Sequence, residues 1–118
     1  MRSLKSFTDV YLCRRYVDFR KGINGLASFV QDEIELSPFD GALFIFCSRS
    51  RDKVKILYWD RSGFALWHKR LEKEKFKWPK KMSDEVIILD VTELEWLLDG
   101  FDITKMKPHK TLSYQVAC

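Results

Sequence analysis

The sequence predicts an α+β domain: a mostly antiparallel sheet with β-hairpins and about two helices. Three observations carry that expectation. Two alternating segments flank the turn Asp60-Arg61-Ser62-Gly63, Leu43–Cys47 is apolar at every position, and Thr92–Gly100 has the signals of a capped helix. The 118 residues suit one domain with one core. The expected unit is 1–118, with 103–118 as a loose tail or edge strand.

Taken in order, Val10–Phe19 is rich in β-branched and aromatic residues and reads as a strand, interrupted at Arg14–Arg15. Asp18 is placed to cap a helix whose face is Ile23, Leu26, Ala27, Val30 and Ile34. Ser37–Gly41 stops that helix in a turn. Leu43–Cys47 reads as a central strand. Lys53–Asp60 and Phe64–Leu71 form a hairpin in which Gly63 is expected to take the positive φ. Phe76 and Trp78 alternate with Lys75 and Lys77, suggesting a short strand ended by Pro79. Glu85–Val91 is a further strand. A helix follows, with Thr92 and Glu95 as its capping box, Leu94, Leu97 and Leu98 as its buried face and Gly100 as its stop. Thr111–Val116 is a candidate edge strand.

Composition narrows the function classes. With 46% apolar and 32% charged residues, the chain is neither disordered by composition nor membrane-like. Its longest apolar run, Ala42–Cys47, is far short of the roughly 20 residues of a membrane span. The amino terminus lacks a secretory pattern, so a cytoplasmic protein is expected. Cys13, Cys47 and Cys118 show no paired spacing. They read as two reduced strand cysteines and one at the carboxyl end, with no metal or cofactor expected.

Charge is segregated along the chain. Arg49–Lys81 holds 12 Lys/Arg against 4 Asp/Glu, whereas the remainder holds 9 against 13. A continuous cationic third can present a positive face that attracts polyanions. In the predicted hairpin Lys53, Lys55, Leu57 and Trp59 share one face, while Val54, Ile56 and Tyr58 should look inward. Trp67, Lys69 and Arg70 come from the returning strand, Arg49 and Arg51 from the loop before it, and Lys75 and Lys77 from the segment after. Lys and Arg suit phosphates, and indoles suit unpaired bases. These ten residues, Arg49, Arg51, Lys53, Lys55, Trp59, Trp67, Lys69, Arg70, Lys75 and Lys77, are the candidate nucleic-acid site. A plainer reading stands beside it: half-solvated strands commonly carry alternating lysines, and Trp59, Trp67 and Trp78 are equally good core residues. Arg20 and Lys21, at the start of the first predicted helix, form a candidate anion site; an ordinary cap with solvated cations is the alternative.

Several stretches together resemble a known family. Arg49–Asp60, Gly63–Glu72 and Phe76–Pro79, with Asp18–Leu26 upstream and Leu97–Asp102 downstream, are similar in order and content to the TnpB accessory protein of the insertion sequence 66 family of bacterial transposable elements. The resemblance implies a protein encoded beside a larger, separate transposase, needed for efficient transposition and without established catalytic activity. The RNA-guided nucleases that share the name TnpB are different proteins, several times longer. Together with the charge pattern, the expected partners are the DNA of the element's ends, bound through the basic hairpin, and the transposase of the same element; the alternative is a protein–protein adaptor that docks on the transposase without DNA contact.

An enzyme reading has little to stand on. Asp90, ending the apolar Val86–Leu89, has the strand-end position of a metal-binding carboxylate, but it also adjoins a helix start where negative charge is favourable. The chain holds no Asp/Glu-x-Lys tripeptide, no phosphate loop and no nucleophile elbow. His68 lies within a cationic strand and reads as part of that surface.

Overall fold

The computed structural model describes residues 9–79 and 84–105. Five strands, β1 (Val10–Cys13), β2 (Leu43–Cys47), β3 (Lys53–Asp60), β4 (Gly63–Arg70) and β5 (Val86–Leu89), form one sheet in the order β4-β3-β2-β1-β5. Only β1 and β2 are parallel; β2–β3, β3–β4 and β1–β5 are antiparallel. Helix α1 (Ile23–Phe29) extends into a wider π-helical turn, Val30–Ile34, and makes the crossover between the parallel pair. Helix α2 (Val91–Leu98) follows β5, and a single 3₁₀ turn, Ile103–Lys105, comes after it. This is the expected α+β architecture. The proposed edge strand Thr111–Val116 lies outside the described residues.

The two helices pack against opposite faces, which explains why every residue of β2 is buried. On the α2 side the core joins Val10, Leu12, Leu43, Ile45, Val54, Ile56 and Tyr58 to Leu94, Leu97 and Leu98. On the α1 side Phe44, Phe46 and Leu57 meet Leu26 and Val30. Each face thus has its own hydrophobic driving force. Cys13 and Cys47 are buried free thiols within these cores. Burial raises both thiol pKa values, that of Cys47 to about 12.

Several local expectations are corrected. Helix α1 starts later than predicted, at Ile23, with Gly22 and not Asp18 at its N-cap and without a side-chain cap. Asp18 instead organises the preceding turn, accepting from the Arg20 amide at 2.9 Å while its own carbonyl accepts from the Lys21 amide at 3.0 Å. The capping box of α2 is Asp90–Glu93, not Thr92–Glu95: the Glu93 amide donates to Asp90 Oδ1 at 2.7 Å, and the Asp90 amide to Glu93 Oε1 at 3.0 Å. The β3–β4 turn puts its positive φ at Arg61, not Gly63, which pairs with Asp60 as the first residue of β4.

Phe76 and Trp78 alternate inward against outward Lys75 and Lys77 as expected, yet they form no strand. The segment lies across the end of the sheet, where one carbonyl, Arg51 O, receives the Phe76 amide at 2.7 Å. Trp78 is anchored by its indole N–H, which donates to Cys13 O at 3.2 Å. A sheet end offers isolated acceptors rather than a ladder, so alternation here records burial without pairing.

Candidate nucleic-acid interface

The topology gathers charge at the ends of the strands. Where β1, β2 and β4 finish and β3 begins, the chain carries Arg14, Arg49, Arg51, Lys53 and Arg70. The segment Leu71–Pro79 adds Lys73, Lys75 and Lys77 to this same end. It is fastened there by the Leu71 amide on Asp52 O (2.8 Å), the Phe76 amide on Arg51 O and Lys75 Nζ on Ser50 O (2.8 Å). At the far end, Asp9 precedes β1, Asp40 lies shortly before β2, Asp60 ends β3 and Asp90 follows β5, with Arg61 the cation of the hairpin turn. A β3-length strand of eight residues separates the two ends by roughly 25 Å. The cationic end also holds Asp52, Glu72 and Glu74 and, where β5 begins, Asp84 and Glu85, so the asymmetry along the strands is a net excess of cations at one end and of carboxylates at the other.

Within the basic end the candidate cations divide by what they touch. Arg49 and Lys77 are exposed. Arg51 adopts a left-handed conformation, φ 64°, in the β2–β3 turn. Arg70 pairs with Glu72 at 3.2 Å and Lys53 with Asp52 at 3.3 Å, both near the surface, where such pairs exchange readily with a competing anion. The Asp52 carboxyl is held below its usual range chiefly by the Ser50 hydroxyl, then by Lys53.

Besides Lys75 on Ser50 O, two further candidate lysines are occupied within the fold. Lys55 Nζ donates to the carbonyls of Phe19 (2.9 Å) and Lys21 (3.0 Å). Lys69 Nζ donates to Leu98 O at 2.8 Å, closing the C-terminus of α2 where a cation is favoured. Nor do the two strands present their cations on one side. The register sets Lys53 opposite Arg70 and Lys55 opposite His68, all toward α1, whereas Trp67 and Lys69 lie opposite Ile56 and Val54, toward α2. The β3 face that sequence alternation assigned to solvent is covered: Leu57 is fully buried under α1. His68 is held below its ordinary pKa, first by partial burial and then by Lys55, Lys53 and Arg70.

The tryptophans separate in the same way. Trp78 is core. Trp67 is half-buried against the α2-side core. Trp59 is half-buried at the acidic end, 5.2 Å from the Phe39 ring and 5.0 Å from Phe64. None stands among the basic-end cations as a strand-face platform. At the candidate anion site, the Arg20 guanidinium pairs with Asp18 at 2.6 Å, and this pairing holds the carboxyl down to about 2. Lys21 is exposed beside it.

Two residues outside the sequence-derived set join the basic end, Arg14 and Lys73. The signal for Arg14 was present: an Arg–Arg pair directly after an apolar strand must emerge at that strand's end. Arg14 also contributes, with Arg15, Tyr16, Arg51 and Pro79, to the lining of a cleft of about 510 Å³.

Comparison with known proteins fits this chain to a family. The sequence model of the family described as IS66 Orf2 like protein matches residues 8–108. The chain belongs to that family. Two relatives of this IS66 Orf2-like protein come from Sinorhizobium fredii (strain NBRC 101917 / NGR234). One, named uncharacterized protein y4jC, is 36% identical over 91 residues, covering 77% of both chains. The other, uncharacterized protein y4hO, is 36% identical over 93 residues, covering 79% of this chain and 80% of its own. No solved structure matches. Membership gives this IS66 Orf2-like protein a transposition-associated accessory role.

Proposed function

We propose that this protein serves transposition without breaking bonds itself, by binding the DNA of its element's ends through the basic end of the sheet. The observation that carries this reading is the convergence of Arg14, Arg49, Arg51, Lys53, Arg70, Lys73, Lys75 and Lys77 at one end of a molecule whose other end is acidic. Such a distribution orients the molecule on a polyanion before contact and disfavours approach by the wrong end. Phosphate contacts of this kind position a protein on DNA and carry no base information by themselves. Asp90, the one carboxylate considered for metal chemistry, accepts the Glu93 amide as a helix cap.

A second reading, an adaptor docking on the transposase, is favoured by the opposite end. Phe39 is 52% exposed there and packs with Trp59 and Phe64 next to Asp40 and Asp60. Exposed aromatics rimmed by charge are features of protein–protein contact surfaces.

Because the two surfaces lie at opposite ends, two variants separate the readings. The first replaces Arg49, Lys73 and Lys77 with alanine; the second is Phe39→Ala. Fluorescence anisotropy with a labelled element-end duplex, and co-purification with the transposase, are measured for each. The DNA reading expects the first variant to bind the duplex more weakly. Loss of transposase capture with Phe39→Ala, with no DNA binding by the native protein even at low salt, establishes the adaptor instead.

A further inference from the structure

The cleft beside Arg51 is built from three segments brought together at the sheet end. The residues after β1, Arg14–Tyr16, are held by the Arg14 amide on Glu85 O (2.8 Å) and the Val17 amide on Cys47 O (3.0 Å). The β2–β3 turn supplies Arg51, whose carbonyl receives the Phe76 amide, and the Trp78 indole bond to Cys13 O sets Pro79 against the same opening. The walls are therefore fixed by hydrogen bonds between distant parts of the chain.

Arg51 occupies its position against conformational preference. Its φ of 64° is a region where glycine or asparagine is at ease and other side chains are disfavoured. Glu35 and Arg61 share this conformation, and of the three it is Arg51 that lines the cleft. Arg14 is oriented by its Nε, which donates to Asp84 O at 2.7 Å. Arg15 is committed elsewhere, to Glu85 and Glu33, with its guanidinium 5.1 Å from the Phe29 ring. Among the described residues the remaining lining is Tyr16, half-buried, and Pro79, buried.

We infer that this cleft takes one unpaired nucleotide of a DNA strand, its phosphate on Arg14 and Arg51 and its base against Tyr16. The inference rests on the DNA-binding reading of the basic end. The volume of about 510 Å³ lies within the range of roughly 300–1,000 Å³ typical of small-molecule sites. Guanidinium groups match phosphate by paired donors, and an aromatic ring accepts a base face irrespective of sequence. A continuous duplex keeps its base faces stacked and can bring only phosphates to such an opening. A strand end, tail or junction can bring both. The protein thereby distinguishes DNA with an unpaired segment from intact duplex.

The test uses the full-length protein and three labelled DNAs of one sequence: blunt duplex, duplex with a single-stranded tail, and single strand. Anisotropy titrations at fixed low salt are expected to show several-fold tighter binding of tailed than of blunt DNA. Arg51→Gly should bring that ratio close to one without lowering the thermal midpoint, because glycine suits the turn. Deoxyadenosine monophosphate should displace the tailed DNA at lower concentration than inorganic phosphate. Blunt duplex binding with no preference for a tail, an equal loss on both DNAs with Arg51→Gly, or equal potency of nucleotide and phosphate would each overturn the inference and leave the DNA reading standing. Failure to bind any of the three DNAs overturns both.

Discussion

The ammonium of Lys55 stands 4.8 Å from the centre of the Phe19 ring and donates to the carbonyl of the same residue at 2.9 Å. With its second bond to Lys21 O, it clamps the turn before α1 onto β3. A residue read from sequence as a phosphate contact is thus a fastener of the fold. Lys55→Met keeps the apolar stem and removes the donors, leaving two carbonyls without this partner. It is expected to cost about 1–3 kcal/mol in urea denaturation. DNA affinity at matched salt should fall less than with Arg49→Ala.

Asp90 and Glu93 satisfy each other's amides at the start of α2. Asp90→Ala is expected to lower stability by about 0.5–2 kcal/mol, measured by the shift in denaturation midpoint. Asp90→Ser should restore most of it, because a hydroxyl also accepts from the third amide. Serine is a poor replacement for a metal-binding carboxylate, so rescue supports the cap as the residue's role.

His68 gives the native state a pH dependence of defined sign. Its pKa is lowered on folding, so below the ordinary histidine range the unfolded chain binds the proton more readily. The stability associated with neutral His68 is complete above about pH 6.5 and is lost as pH falls through the lower, folded value. Urea midpoints at pH 7 and pH 5 should therefore differ more for the native protein than for His68→Gln. An equal difference in both would show that neither burial nor the neighbouring cations lower the His68 pKa on folding.

Much of the fold was legible because the physics was local. The both-face apolar run of β2, the alternation of β3 and the tight turn before β4 each identify their element from neighbouring residues alone. The cap of α2 was misplaced because Asp90–Glu93 and Thr92–Glu95 both have the spacing of a box, and only the emerging chain direction selects one. The buried β3 face was missed for a non-local reason: α1 is supplied by an earlier part of the chain. The separation of Trp67 and Lys69 from Lys53 and Lys55 could have been read from sequence. A two-residue turn at Arg61–Ser62 sets Ile56 opposite Trp67, and cross-strand partners share a face. The basic end was not legible as a site, because Arg14 and Arg51 meet only through the order of strands in the sheet.

The most direct measurement of the central claim is the salt dependence of duplex binding, for the native protein and for the Arg49/Lys73/Lys77 alanine variant. Plots of log Kobs against log salt concentration should be linear. The variant's slope should be shallower by about 0.9 for each phosphate contact removed, while a Lys55→Met/Lys69→Met control keeps a slope near the native one. A variant slope and affinity matching the native protein would contradict the assignment of DNA binding to the basic end of the sheet.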